Sequence, residues 1–112
     1  MLKRKRVNVI FRTPSMRRFY DGLKDNNILK KKIDRAIDSI KQNPFNAGQP
    51  IGKNLIPKEY LMEGFDNAFH KKLGRDWRLI YSLTSVNEIE ILCIVLDWFD
   101  DHKKYARKFK YE

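Results

Sequence analysis

Apolar and polar residues alternate at the start of the chain, which is the pattern of a β-strand with one buried face. In residues 5–11 the apolar residues at alternate positions are Val7, Val9 and Phe11. Because the side chains of a strand point in turn to opposite faces, these three should pack together against the rest of the fold. The sequence therefore predicts a first strand over 5–11.

Two stretches with helical spacing follow this strand. Apolar residues recur at i, i+3, i+4 and i+7 within residues 13–23, and again along one face of residues 28–43, which Pro44 should end. Both starts carry side chains that cap helix N-termini. The candidate caps are Thr13, Ser15, Asn26 and Asn27. A break this short between two helices predicts an antiparallel helical hairpin.

The second half of the chain predicts a loop, three strands and a final helix. Residues 43–60 hold three prolines and two glycines, so we expect an ordered loop without a regular element. Three runs rich in β-branched and aromatic residues then predict an antiparallel meander over 65–73, 77–83 and 88–98. The last run is nearly continuously apolar, as in a strand covered on both faces. The tail, 100–112, predicts a short C-terminal helix.

These elements define an α+β fold. Their predicted order is β-α-α-β-β-β-α, with the helical hairpin packed on one face of an antiparallel sheet. The chain shows no internal repeat, linker or low-complexity segment. We therefore expect one domain over residues 1–112.

Composition excludes several classes of protein. Hydrophobic residues make up 42% of the 112 residues and aromatic residues 12%, which argues against wholesale disorder. The single cysteine, Cys93, cannot form an internal disulfide and lacks the partners of a zinc site. No stretch approaches the roughly 20 apolar residues of a membrane span. The expectation is a cytoplasmic protein with no cofactor, no bound metal and no membrane association.

The net charge of the chain indicates one class of function in particular. The chain carries 24 Lys and Arg against 14 Asp and Glu, for a net charge of +10. This is the electrostatic profile of a nucleic-acid-binding protein, although solubility alone can also account for it. The stretch HKKLGRDWRLIYSL, residues 70–83, places four cations within eight residues: Lys71, Lys72, Arg75 and Arg78.

Arg78 is the first candidate functional residue. Alternation places it on the strand face opposite Leu79 and Tyr81, so it should project away from the helical hairpin if the hairpin covers those two residues. A guanidinium there could bind a phosphate through two hydrogen bonds and stabilise charge developing on it, with Lys71 of the preceding strand aimed at the same place. An ion pair is the equally simple structural alternative. Its possible partners are Asp76, Asp97 and Glu90.

A second candidate cluster follows the last strand. His102 can exchange a proton near neutral pH, and the hydroxyl of Tyr105 can do so if its pKa is shifted. The neighbouring Lys103 and Lys104 would favour the phenolate. The structural alternative is that Tyr105 packs on the core side of the tail helix while His102 lies exposed in its first turn.

Three motifs occur in a characteristic order along the chain. They are NPF after the second helix, KKLGRDWRLIYSL leading into an apolar strand, and HKKY after that strand. In this combination, and in its order of elements, the chain resembles the RelE/ParE toxin family of bacterial and archaeal toxin–antitoxin modules. The resemblance covers almost the whole chain and is best over residues 69–105.

The resemblance implies a reaction and a set of roles. RelE-like members are ribosome-dependent endoribonucleases that cut mRNA in the ribosomal A site, without a metal, by driving a ribose 2′-OH onto the adjacent phosphate. By position Arg78 is similar to the phosphate-binding arginine, Lys71 to a lysine that neutralises developing charge, and Tyr105 or His102 to the proton-transfer residue. The remaining implied RNA contacts are Lys72, Arg75, Lys103 and Lys104.

The resemblance also implies partners and alternatives. The expected partners are the ribosome with its mRNA and an acidic antitoxin, which would form a hetero-oligomer by ordering its C-terminal segment on the basic surface. One feature departs from the RelE pattern, since WFDDHKKY stands where those members carry a further arginine before the tyrosine. Two alternatives therefore stay open: a ParE-like toxin that inhibits DNA gyrase without cleaving RNA, and a non-catalytic basic nucleic-acid-binding protein.

Overall fold

Five strands form one sheet with helices on both of its faces. The computed structural model describes residues 6–74, 77–87 and 90–99. In chain order the elements are β1 (Arg6–Phe11), α1 (Pro14–Asp21), α2 (Ile28–Gln42), β2 (Gln49–Pro50), α3 (Lys58–Met62), β3 (Phe69–Lys72), β4 (Arg78–Ser85) and β5 (Glu90–Phe99), with a 3-10 turn at Lys53–Leu55. The mixed composition confirms the α+β class.

The sheet is mixed, which corrects the prediction of a wholly antiparallel one. The strand order is β1-β5-β4-β3-β2, and β1 runs parallel to β5 while the other pairs are antiparallel. A pattern of buried positions fixes which face of a strand is covered, but it does not identify the neighbouring strand. The prediction was therefore right for the β3–β4–β5 meander and wrong for β1.

The segment predicted as an irregular loop contains three short elements. Residues 43–60 include β2, the 3-10 turn and the start of α3, and each element spans five residues or fewer. Elements this short leave almost no periodic signal, and Pro57 supplies the N-cap of α3 without a capping side chain. The predicted helix at 100–112 lies outside the described residues.

The two longer helices begin where the sequence placed their caps. Thr13 Oγ1 accepts a hydrogen bond from the backbone N–H of Met16 at 3.1 Å, and Pro14 occupies the first turn. Asn27 Oδ1 accepts one from Lys30 N at 3.1 Å. Each cap satisfies a backbone donor that the helix itself cannot pair.

The first core lies between the sheet and the helical hairpin. From α2 it takes Ile33 and Ile40, both fully buried, and from the central strand Leu79 and Tyr81. The β1 residues predicted to face inward border the same core: Val7, Val9 and Phe11. The alternation read from residues 77–83 is thus confirmed for the helix-facing side.

A second core covers the opposite face of the sheet. Ile51 and Ile56, from the segment between β2 and α3, and Tyr60 of α3 pack on Ile80 of β4 and Leu96 of β5. Burial on both faces explains why β5 is almost continuously apolar, as the sequence predicted. The face that carries Arg78 is therefore covered along part of its length.

Tyr81 ties the loop after α2 to the centre of the sheet. Its hydroxyl donates to the carbonyl of Pro44 at 3.0 Å and accepts from Gly48 N at 2.9 Å, while its ring stacks on Phe69 with centroids 5.1 Å apart. Burial raises the pKa of Tyr81 to about 12, so the hydroxyl keeps its proton at neutral pH.

Replacing Tyr81 with Phe tests this anchor. Tyr81→Phe keeps the ring stack but leaves a half-buried carbonyl and a half-buried N–H without their partner, so we expect a loss of about 1–2 kcal/mol in the free energy of unfolding, measured by urea denaturation. Tyr20→Phe, which removes a single, partly exposed hydroxyl bond to Asp34, should cost less. Equal costs would show that the Tyr81 hydroxyl is not an anchor.

Candidate nucleic-acid interface

Strand β3 presents its two lysines to opposite faces of the sheet. In the β3–β4 pair Lys71 lies opposite Leu79, and Lys72 lies opposite Arg78. Residues directly opposite each other in an antiparallel pair point to the same side, and Leu79 belongs to the core under the helices. Lys71 therefore faces the helical hairpin, whereas Lys72 shares the face of Arg78.

The prediction that Lys71 and Arg78 converge is therefore wrong. Lys72, not Lys71, pairs with Arg78, so the side chain of Lys71 points to the other face of the sheet. Sequence spacing could not decide this, because changing the register by one residue reverses the face of every side chain on the strand.

Arg78 is nearly enclosed. Its exposed fraction is 9%, and among the described residues its guanidinium makes one hydrogen bond, from Nη1 to the carbonyl of Trp77 at 3.2 Å. Two of the proposed ion-pair partners are engaged elsewhere, since Asp97 accepts from Tyr60 and Glu90 from Asn8. Asp76, the third, lies outside the described residues. No carboxylate in the described part of the chain forms an ion pair with Arg78.

His70 joins Arg78 and Lys72 on this face, which we call the Arg78 face. It lies opposite Ile80, one alternate position along β3 from Lys72. Burial, and after it the charges of Arg78 and then Lys72, lower the pKa of His70. His70 was missed as a site residue because it has no second metal ligand, yet its two-residue spacing from Lys72 was a usable signal.

On the other face, Lys71 borders a groove between α2 and β3. The groove encloses about 260 Å³, and its polar lining is Lys32, Arg35, Ser39, Lys71, Lys72 and Gly74. Gly74 has a φ of +105°, and a Cβ placed there would lie 3.2 Å from the Lys32 ammonium. The ammonium of Lys32 thus reaches the β3–β4 turn.

A buried polar cluster lies on the Arg78 side of the sheet, near the end of β1. Tyr60 donates to Asp97 Oδ2 at 3.1 Å, and the Arg12 guanidinium stacks over the Tyr60 ring while bonding Glu63. Burial, together with the charge of Asp97 and its hydrogen bond, raises the pKa of Tyr60, and burial raises that of Asp97. These contacts hold α3 on the sheet, so we assign the cluster a structural role.

Several predicted site residues lie outside the described part of the chain. They are Arg75, His102, Lys103, Lys104 and Tyr105. Their roles stay predictions, as does any contact between them and Arg78.

The described residues provide neither a metal site nor a reactive thiol. Within 6–74, 77–87 and 90–99 no three His, Cys, Asp or Glu side chains come together as a group that could hold a metal ion. Cys93 is fully buried, and burial raises the pKa of its thiol to about 12, which makes it a poor nucleophile. Of the helices in these ranges, none is both long enough and apolar enough to cross a membrane.

Comparisons of the chain with models of protein families, with curated proteins and with solved structures give no match. The candidate site consists of a cationic Arg78 face on one side of the sheet and a cationic groove on the other.

The pKa of His70 reports directly on the Arg78 face. Arg78→Gln should raise that pKa, because it removes the charge that has the stronger effect on His70, and Lys72→Gln should raise it less. Lys71→Gln, which removes an adjacent charge on the opposite face, should leave the pKa unchanged. The measurement is an NMR titration of the His70 ring, with His70→Gln to separate it from His102. An equal shift in all three variants would contradict the assignment of faces.

The raised pKa of Asp97 predicts how stability depends on pH. An acid whose folded pKa lies above its ordinary value of 3.8 favours the folded state only while it stays protonated. The stability of the parent relative to Asp97→Asn should therefore fall as the pH rises from about 4 through the folded pKa, and then level off. Urea denaturation of both proteins between about pH 3 and about pH 7 measures the difference. A flat difference would contradict the shift.

Proposed function

We propose that the chain is the toxin of a type II toxin–antitoxin module and cleaves mRNA on the ribosome without a metal. The observation that carries the proposal is Arg78: a guanidinium held almost fully inside the fold, beside Lys72 and His70, with no ion-pair partner among the described carboxylates. A buried charge of this kind is costly unless an anion accompanies it, and a phosphate fits the planar fork of arginine.

The reaction is a displacement at phosphorus. The ribose 2′-oxygen forms a bond to the adjacent phosphorus, the bond from phosphorus to the 5′-oxygen breaks, and a 2′,3′-cyclic phosphate results. One group removes the proton from the 2′-OH and another protonates the leaving 5′-oxygen. Arg78 binds the non-bridging oxygens, on which negative charge accumulates in the transition state.

The β3–β4 register changes which lysine we propose to assist cleavage. Lys72 shares the face of Arg78 and takes the charge-neutralising role that the sequence had given to Lys71. His70 lies on the same face, and a phosphate bound there would offset the two charges that lower its pKa. The proton-transfer roles of Tyr105 and His102 rest on the resemblance to RelE-like members.

The net charge supports the proposed partners. A chain of +10 is drawn to ribosomal RNA and mRNA, and an acidic antitoxin would neutralise the same surfaces. The proposal includes a hetero-oligomer with that antitoxin and a cytoplasmic location, where the ribosomes are.

Arg78→Ala tests the proposed reaction. Loss of one preorganised donor to the transition state typically costs about 3–4 kcal/mol, so cleavage should slow by about 10²–10³-fold. The assay is a translation reaction in vitro with mapping of mRNA 5′ ends, in which the parent should produce cuts within the A-site codon. Arg78→Lys, which keeps the charge but loses the two-pronged geometry, should also be strongly impaired.

Folding must be separated from chemistry, because Arg78 is buried. Circular dichroism and the thermal midpoint should show that Arg78→Lys remains folded at the assay temperature. A folded Arg78→Lys that cuts as fast as the parent would overturn the assignment. Stabilised gyrase–DNA breaks without mRNA cuts would establish the ParE-like alternative, and normal growth on tight induction would establish the non-catalytic one.

A further inference from the structure

We propose that the groove between α2 and β3 binds the phosphate backbone of an RNA duplex, on the side of the sheet opposite Arg78. The choice of RNA over DNA rests on the proposed function. The groove and Arg78 lie on different faces, and of the groove's cations only Lys72 also borders the Arg78 face.

The groove has cations along both of its walls. Lys32 and Arg35 contribute from α2, and Lys71 and Lys72 line the β3 wall. Because Gly74 has no side chain, the Lys32 ammonium can lie over the turn at the end of the groove. Cations on both walls of the groove can contact successive phosphates along a nucleic-acid backbone.

The cations of the groove are not neutralised by described residues. No carboxylate lines the groove among the described residues, and none of its four cations takes part in a described ion pair. Other cations of the same region are paired, as Lys30 is with Asp25 and Arg17 with Asp21. Within the described residues, the charge concentrated in the groove therefore has no internal counter-ion, as a site for an external anion requires.

The small apolar part of the groove indicates which kind of anion the groove would bind. Its apolar lining is limited to Ala36 and Leu73, and no aromatic ring borders it among the described residues. Without a ring, bases cannot stack, as they do in most single-strand sites. Without a larger apolar pocket, an acidic peptide has no anchor for a side chain. A duplex needs neither, because it is recognised through phosphates and 2′-hydroxyls, and the hydroxyl of Ser39 can bond the latter.

A pair of charge-matched variants tests the groove. Lys32→Gln/Arg35→Gln removes two cations from it, and Lys53→Gln/Lys58→Gln removes two exposed lysines that do not line it. Gln is a good helix former, so both variants should fold, which circular dichroism checks. Binding to a short blunt-ended RNA duplex of mixed sequence is followed by fluorescence anisotropy over a series of salt concentrations.

The groove variant should bind the duplex at least about tenfold more weakly at 0.1 M salt, and the slope of log affinity against log salt should fall by about two. The control variant should stay close to the parent in both measures. Equal losses in the two variants would overturn the proposal, because they would show that net charge alone governs binding.

A competitor distinguishes RNA from a protein partner. An acidic poly-glutamate peptide should displace the duplex poorly, and its own binding should not depend on Lys32 and Arg35. If the peptide binds the parent tightly, requires these two residues and displaces the duplex, the groove is a protein-docking site and the RNA assignment is wrong. The cleavage assay with Arg78→Ala does not enter this test, so failure of the proposed reaction and failure of the groove proposal are separate results.

Discussion

The alternation of side chains along β4 is the constraint on which the rest of the structure depends. Leu79 and Tyr81 are fully buried under the helical hairpin, and this fixes Arg78 and Ile80 on the opposite face. A slip of one residue would place a guanidinium in the helix-facing core and expel Tyr81 from its contacts with Pro44 and Gly48. The free energy of burying Leu79 and Tyr81 therefore also holds Arg78 in position.

The same alternation divides the positive charge between two surfaces. Lys71 and Lys72 are neighbours in the chain, yet Lys71 faces the groove, whereas Lys72 shares the face of Arg78 and also borders the groove at the end of β3. Like charges held close together destabilise a fold, and here they are spread over both sides of one thin sheet. An anion bound on either side would relieve this repulsion locally.

The parts of the fold that local chemistry determines were predictable from the sequence. The caps at Thr13 and Asn27 depend on residues within one helical turn, and the inward face of β1 depends on a two-residue period. The predictions that failed concern features that depend on residues far apart in the sequence. The parallel pairing of β1 with β5 and the packing of α3 on the second face follow from tertiary contacts. The groove needs Lys32 and Lys71 to meet across 38 intervening residues, and no local pattern could show it.

A β-bulge explains how a strand that contains an aspartate can be buried on both faces. Tyr81 pairs with Val95 and Ile80 with Asp97, so Leu96 is the extra residue. A regular ladder would have turned Asp97 into the helix-facing core beside Leu79, where an uncompensated carboxylate is costly. The bulge instead sends Trp98 to that side, against Phe11, and sends Asp97 to Tyr60. The bulge therefore places Asp97 on the same face as Arg78, where the carboxylate accepts hydrogen bonds from Tyr60 and from the N–H of Trp98 and forms no ion pair with the guanidinium.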